Sequence, residues 1–180
     1  EIPSWKKIKG DWMALAYMPL EKGIAKLAKM GIYNFNYPKM KKIDVYDNLY
    51  DGLNLAIKKS VKMLKWKQNK YDYFYIHFKE TDVPGHDGKP REKVKMIELL
   101  DLKFFSFLRE FIEKNKCKLV VTADHVTSCR QKAHTSGAVP VLFWNPADYR
   151  VVEKRFSERE GMKGRKILGR KLLEKTLFGK

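Results

Sequence analysis

The feature that most constrains the fold of this chain is the alternation of short apolar runs with long amphipathic stretches. The runs at 11–18, 32–35, 71–78, 118–123 and 139–144 are apolar or β-prone and predict strands. Stretches with apolar residues at helical spacing separate several of them. Strands that alternate with helices favour an α/β fold with a mostly parallel sheet flanked by helices. At this length, residues 1–180 are predicted to form a single α/β domain.

Capping and periodicity predict where the helices begin and end. A first helix over 20–30 is expected to end at Gly31, and a second is expected to begin at Asp47. Pro90 is a suitable first-turn residue for a third helix. The apolar stripes predicted to face the core are Leu49, Leu53, Ile57, Val61 and Leu64 in the second helix, and Val94, Ile97, Leu100, Phe104, Leu108 and Phe111 in the third. A last amphipathic helix is expected around Ile167, Leu168, Leu172 and Leu177.

The charge of the chain favours one class of partner over another. The formal net charge is +17, but the lysines are spread over helical faces, as at Lys58, Lys62 and Lys65. A surface that binds nucleic acid would have its lysines clustered in one patch, with exposed aromatic side chains between them. The pattern therefore argues against nucleic acid and favours a small anionic substrate.

Targeting signals are not expected in this sequence. No apolar run approaches the roughly 20 residues that span a bilayer, so no membrane partner is predicted. The first residues are polar and include Pro3 and Gly10, unlike a signal peptide. With only Cys117 and Cys129, no disulfide framework is implied, and a cytoplasmic enzyme fits best. Because the chain starts with Glu1, it could be a piece of a longer polypeptide.

Three of the four histidines lie beside acids or turns. Asp82 and His86 follow the 71–78 run, Asp124 and His125 end the 118–123 run, and His134 is expected in the loop before the 139–144 strand. Each cluster alone also fits an incidental histidine in a polar loop. In a parallel sheet, however, all five residues would reach the same edge, where ligands bind. Mixed aspartate and imidazole ligands suit Mn, Zn or Co, and Mg less well, so the conjunction predicts a two-metal site.

The spacing within the first cluster carries a further expectation. Pro84 and Gly85 argue against a helix, so a tight turn is expected to fold Asp82 and His86 around one ion. His77 lies inside the predicted strand and is interpreted as structural. Cys129 lacks a CxxC partner and is not counted as a ligand.

These motifs resemble a known family. The stretch from His77 to Gly88 (HFKETDVPGHDG), the stretch from Thr122 to Cys129 (TADHVTSC) and His134 to Pro140 (HTSGAVP) are similar, in order and spacing, to archaeal-type 2,3-bisphosphoglycerate-independent phosphoglycerate mutases. That family belongs to the alkaline phosphatase superfamily. The resemblance runs over most of the chain and matches the C-terminal, metal-binding portion of an alkaline-phosphatase-like core.

The resemblance implies a mechanism and a set of ligands. Asp82, His86 and His134 match the ligands of one divalent ion, and Asp124 and His125 match part of the set for a second. The family interconverts 3-phosphoglycerate and 2-phosphoglycerate through a phosphoserine intermediate. The serine comes from an N-terminal half without a counterpart in this chain. The implied partners are that half and a small phosphorylated substrate.

Other functions remain open at this stage. A divergent metal-dependent phosphatase or phosphodiesterase of the same superfamily would use the same ligands. A non-catalytic fragment, or a basic binding module, would not need them.

Overall fold

A computed structural model describes residues 10–147 and 155–178. The first nine residues, which carry the expectation about a signal peptide, lie outside this part. Contacts group the chain into two compact units, one of residues 10–84 with Pro90–Phe105 and one of Gly85–Lys89 with the described residues from 106 onward. The prediction of a single domain stays a prediction. In the described residues, no helix is long and apolar enough to cross a membrane.

The first unit is built on a three-stranded parallel sheet in the order β2-β1-β3. Its strands are β1 (Trp12–Leu15), β2 (Gly31–Tyr33) and β3 (Tyr73–Ile76). Met13 pairs with Gly31 on one side and with Phe74 on the other. The parallel pairing was predicted, and it sends all three carboxyl ends to one edge of the sheet.

Two helices connect these strands. Helix α1 (Pro19–Leu27) begins with a proline in its first turn, and helix α2 (Val45–Lys67) is capped by Asp44, whose carboxylate accepts from the N–H of Tyr46 at 2.7 Å. Asp47 was therefore the wrong cap, although its charge still lies in the first turn. Gly31 does not end α1, because the C-cap is Ala28 and Lys29 takes the left-handed conformation at φ 55°.

The core of the first unit lies between α2 and the sheet. Met13, Leu15 and Phe35 pack with Ala56 and Met63 of α2. Most of the predicted α2 stripe is buried, namely Leu49, Leu53, Ile57 and Leu64, whereas Val61 is half-buried. Each fully buried aliphatic side chain contributes about 1.5–3 kcal/mol relative to exposure. The predicted periodicity of α2 thus identifies the face that holds the sheet.

The predicted third helix is divided into three parts. Helix α4 (Pro90–Leu100) passes into a π-helical segment (Asp101–Phe105) and then into α5 (Ser106–Asn115), after the short helix α3 (Val83–His86). A π turn adds a residue to the helical repeat and shifts the buried face. The predicted Val94 and Ile97 are therefore half exposed, and Met96 is buried instead.

The second unit holds α5 and two small antiparallel sheets. Strand β4 (Leu119–Val121) pairs with β7 (Leu142–Trp144), and β5 (Val126–Ser128) pairs with β6 (Ala133–Thr135). The parallel arrangement predicted for the 118–123 and 139–144 strands is thus wrong within the described residues. The last helices are α6 (Glu158–Gly161) and α7 (Gly169–Phe178), and α7 confirms the expected C-terminal helix.

Candidate metal centre

The β5–β6 hairpin positions His134. The register pairs Thr127 with His134, and the turn is closed by the N–H of Lys132, which donates to the carbonyl of Ser128 at 2.7 Å. Lys132 takes the left-handed conformation at φ 53° that such a turn needs. The expected loop position of His134 is therefore wrong. The stretch Ala133–Thr135 is neither an apolar run nor part of a longer alternating pattern, so only the pairing with β5 defines this strand.

Helix α3 positions His86. The tight turn expected at Pro84 and Gly85 is wrong, because both residues lie in this one-turn helix. Proline costs nothing in a first turn, where the N–H has no intrahelical acceptor. A Cβ on Gly85 would lie 2.7 Å from Cγ2 and 3.0 Å from the carbonyl oxygen of Thr127. Glycine at this position thus permits close approach of the backbone to the hairpin.

Three predicted ligands converge. One ligand atom each of Asp82, His86 and His134 lies within 4.8 Å of the other two, and Nε2 of His86 is 3.0 Å from Nε2 of His134. With metal–nitrogen bonds of about 2.1 Å, that separation corresponds to an angle of roughly 90° at an ion. A hydrogen bond between the imidazoles would give a similar distance, but it would not require a carboxylate beside them. The donor set fits a borderline divalent ion.

The backbone orients the ring of His86. Nδ1 of His86 lies 3.3 Å from the carbonyl oxygen of Lys132. Because a carbonyl only accepts, this contact favours the tautomer in which Nδ1 donates, and in that neutral tautomer Nε2 carries the lone pair. Metal-binding histidines commonly donate their second N–H to such an acceptor. This contact supports Nε2 as the ligand atom.

Asp124 and His125 lie beside this group without joining it. The ring of His125 lies against that of His134, with centroids 3.7 Å apart and planes tilted by 37°, and Nε2 of His125 is 3.3 Å from Oδ2 of Asp124. Its Nδ1 lies 3.1 Å from the hydroxyl of Thr127. Among the described residues, the group close enough to hold one ion contains neither Asp124 nor His125. Their role as partial ligands of a second ion stays a prediction.

His77 has a different environment from the other histidines. It follows β3, and its Nδ1 lies 2.8 Å from a carboxylate oxygen of Glu21 on α1. Both side chains are largely buried, with 25% and 12% of their surfaces exposed. This contact links α1 to the residue after β3 and supports the structural interpretation of His77.

Sequence reasoning missed two residues that shape the centre. Thr127 contacts both His125 and Gly85, and Lys132 supplies the carbonyl for His86. Thr127 lies within a recognised motif, two residues after His125, so its position was a usable signal. The part played by Lys132 depends on its backbone, for which side-chain identity gives no signal.

The burial of Glu80 was also missed. Only 2% of this residue is exposed, and the hydroxyl of Tyr17 donates to its Oε2 at 2.8 Å. Removal from water raises the pKa of Glu80 above its ordinary value, opposed by weaker hydrogen bonds from Tyr17 and Tyr37. Burial likewise raises the pKa of Tyr17, which keeps this hydroxyl neutral as a donor.

Comparison with known proteins identifies the family. Residues 20–169 match the model of the Metalloenzyme superfamily. A protein of Thermotoga sp. (strain RQ2) named "Probable 2,3-bisphosphoglycerate-independent phosphoglycerate mutase" is 36% identical over 164 residues, covering 91% of this chain and 35% of the relative. A 2,3-bisphosphoglycerate-independent phosphoglycerate mutase of Pyrococcus abyssi is 38% identical over 107 residues, covering 59% and 25%.

A solved structure shares the fold. The PH0037 protein from Pyrococcus horikoshii superimposes with a TM-score of 0.67 at 29% sequence identity, covering 87% of this chain and 38% of the other. The predicted α/β class with an alkaline-phosphatase-like core and the resemblance to phosphoglycerate mutases are thereby confirmed. The chain spans about a third of the length of the curated relatives it matches. Because the family model covers well over half of the residues, the chain belongs to the metalloenzyme superfamily.

Proposed function

We propose that this chain is the metal-binding portion of a phosphoglycerate mutase. The observation that carries the proposal is the convergence of Asp82, His86 and His134 within 4.8 Å. The names of the relatives favour phosphoglycerate mutase activity. The resemblance of the motifs implies that 3-phosphoglycerate and 2-phosphoglycerate would be interconverted through a phosphoserine. The serine would come from an N-terminal half. The proposal includes a cytoplasmic location, where thiols such as those of Cys117 and Cys129 stay reduced.

The proposed ligands would bind two divalent ions, with Mn, Zn or Co preferred over Mg. Asp82, His86 and His134 would hold one ion, and Asp124 and His125 would supply part of the shell of the other. Ions bound in this way stabilise the attacking and leaving oxygens of an in-line phosphoryl transfer. The Lys132 carbonyl keeps Nε2 of His86 available, and Thr127 limits the rotation of the His125 ring.

A phosphatase or phosphodiesterase is the second candidate. It is favoured by the loop between β2 and α2, which lacks the glycines usual in the mutases it resembles and carries Lys39, Lys41 and Lys42. A different loop at the carboxyl end of a strand alters the surface that a substrate meets. The same metal ligands would then act on another phosphoryl compound.

Metal content and product analysis test the proposal. The purified chain should bind Mn²⁺ or Zn²⁺ stoichiometrically by elemental analysis, and a metal-free sample after reconstitution would contradict the metallo-site. Together with the serine-bearing half, it should convert 3-phosphoglycerate to 2-phosphoglycerate without releasing phosphate. Asp124→Ala should abolish this turnover. Phosphate release without 2-phosphoglycerate would favour the second candidate.

A further inference from the structure

Helix α1 turns its large apolar side chains to solvent. Leu20, Ile24 and Leu27 follow one another at the spacing of successive helical turns and therefore form one stripe. Their exposed fractions are 75%, 49% and 51%. On a helix at the surface of a globular protein, such a stripe ordinarily faces the core. Apolar side chains grouped on the outside of a helix instead mark a surface that another part of a protein covers.

The contacts of the inward face of α1 fix this orientation. The inward residues Glu21, Ala25 and Ala28 each come one position after a member of the stripe. A carboxylate oxygen of Glu21 lies 2.8 Å from Nδ1 of His77, and Ala25 is buried. A rotation that brought the stripe inward would separate Glu21 from His77 and would place larger side chains where alanine now packs. The outward stripe is therefore a built feature of the fold.

The strand beside α1 has an open edge. Helix α1 leads into β2 and packs against it, so the helix and this strand lie side by side. Strand β2 stands at the end of the order β2-β1-β3, and among the residues that the structure describes it pairs with β1 alone. The outer edge of such a strand offers backbone N–H and C=O groups to an additional strand. The stripe and this edge together form one α1–β2 surface.

We propose that the α1–β2 surface is the place where the serine-bearing N-terminal half of the proposed mutase docks. This inference rests on the proposed function and adds to it the surface that would hold that partner. The match with this chain covers only 35% of the Thermotoga relative, so most of the relative's length is available to cover the stripe. None of Leu20, Ile24 and Leu27 is a predicted metal ligand, so the surface can be altered without touching the metal centre.

The charge around the stripe argues against a second copy of this chain as the occupant. Lys26 and Lys29 are exposed on and just after α1, and the formal net charge of the chain is +17. Two copies that met along α1 would bring these lysines together, and their repulsion would oppose association. A partner with apolar side chains at its centre and acidic residues at its rim is complementary to the surface. The docking face of the serine-bearing half is therefore expected to be acidic.

Association of this chain with the co-expressed, tagged serine-bearing half tests the inference, with the dissociation constant measured on the purified complex. Ile24→Ala/Leu27→Ala should weaken association at least about tenfold, because the complex then buries less apolar surface. Val94→Ala/Ile97→Ala on α4 is the matched control, since these side chains are 52% and 51% exposed, and it should leave affinity within about twofold. Alanine favours helix at all four positions, so both variants should fold.

Three outcomes would overturn the docking surface. The first is an affinity that Ile24→Ala/Leu27→Ala leaves unchanged or lowers no more than the control does. The second is the absence of any complex between the two halves. The third is a dimer of the isolated chain, seen by light scattering, that the same variant dissociates, because a second copy would then cover the stripe. A complex that the variant weakens but that does not turn over 3-phosphoglycerate would support the docking surface and contradict the proposed mutase function.

Discussion

Glu80 and Asp82 stand two residues apart on one loop and occupy opposite environments. Glu80 is 2% exposed, and its Oε2 accepts a hydrogen bond from the hydroxyl of Tyr17. Asp82 is only half-buried, and its carboxylate is grouped with two exposed histidines. Oε2 of the first carboxyl accepts from a neutral hydroxyl of the same fold, whereas its Oε1 has no hydrogen-bond partner in the described part of the chain. The second lies close to ring nitrogens of two histidines, a set of ligand types that suits a borderline divalent cation.

The difference distinguishes a structural polar cluster from a candidate ligand cluster. In the Glu80 cluster, Tyr17 both donates to the carboxyl and accepts from the N–H of Lys79 at 3.0 Å, so each contact joins parts of the fold. In the Asp82 cluster, the nitrogens of His86 and His134 approach to 3.0 Å. Substitutions in the first should change stability, and substitutions in the second should change metal affinity.

The largest effect is expected for His134→Ala. It removes one of three converging ligand atoms and should lower the affinity for Zn²⁺ or Mn²⁺ by at least about 100-fold, more than loss of an outer hydrogen bond typically costs. Competition with a chelator of known affinity measures the change. His77→Ala is the matched control and should leave metal affinity unchanged, because His77 contacts Glu21 instead. An equal loss in the two variants would contradict the assignment of ligands.

Tyr17→Phe should lower the stability of the chain and leave its metal affinity unchanged. It deprives the buried Glu80 carboxyl of a donor and should lower the free energy of unfolding by about 1–3 kcal/mol. Urea denaturation of the metal-free chain measures this. Tyr33→Phe is the control, since Tyr33 packs on the same core and its hydroxyl has no hydrogen bond in the described part of the chain. Equal stabilities of the two variants would show that the Tyr17 hydroxyl contributes nothing.

Gly85→Ala tests how the hairpin positions the ligands. The added Cβ meets Thr127, which pairs with His134, so α3 must shift relative to that histidine. We expect metal affinity to fall about tenfold, as for loss of an outer-shell contact. Gly85→Ala/Thr127→Ser keeps the hydroxyl and removes Cγ2, so it should recover part of the loss. Unchanged affinity in Gly85→Ala would mean that the close approach of α3 is not needed.

The sequence correctly predicted the elements that are recognisable from the pattern of their own consecutive residues. The stripe of α2 from Leu49 to Leu64 repeats over about four turns, and four of its five predicted positions are buried. The strands β1, β2 and β3 are apolar runs separated by helices, which favours parallel pairing. These patterns are long enough to outweigh chance.

Elements defined by distant contacts were not predictable in the same way. Strand β6 exists through pairing with β5, and α3 is accommodated because Gly85 fits against Thr127. The π-helical segment shifts the register so that Val94 faces water and Met96 the core. The grouping of Asp82, His86 and His134 was nonetheless expected, because the family motif specifies residue types even where the local structure differs. Their binding of an ion stays a prediction.

The smallest effect is the pH dependence of the buried cluster. Because burial raises the pKa of Glu80 above its ordinary 4.5, the folded chain binds a proton that the unfolded chain has released in the window above 4.5. The contribution of Glu80 to the free energy of unfolding is therefore complete below pH 4.5. It is lost as the pH rises through the pKa of Glu80 in the folded chain. Glu80→Gln should remove this decline in urea denaturation of the metal-free chain, whereas Glu98→Gln, on an exposed side chain, should retain it. A decline that persists in Glu80→Gln would assign the pH dependence to other groups, and burial alone would then distinguish the Glu80 cluster from the Asp82 cluster.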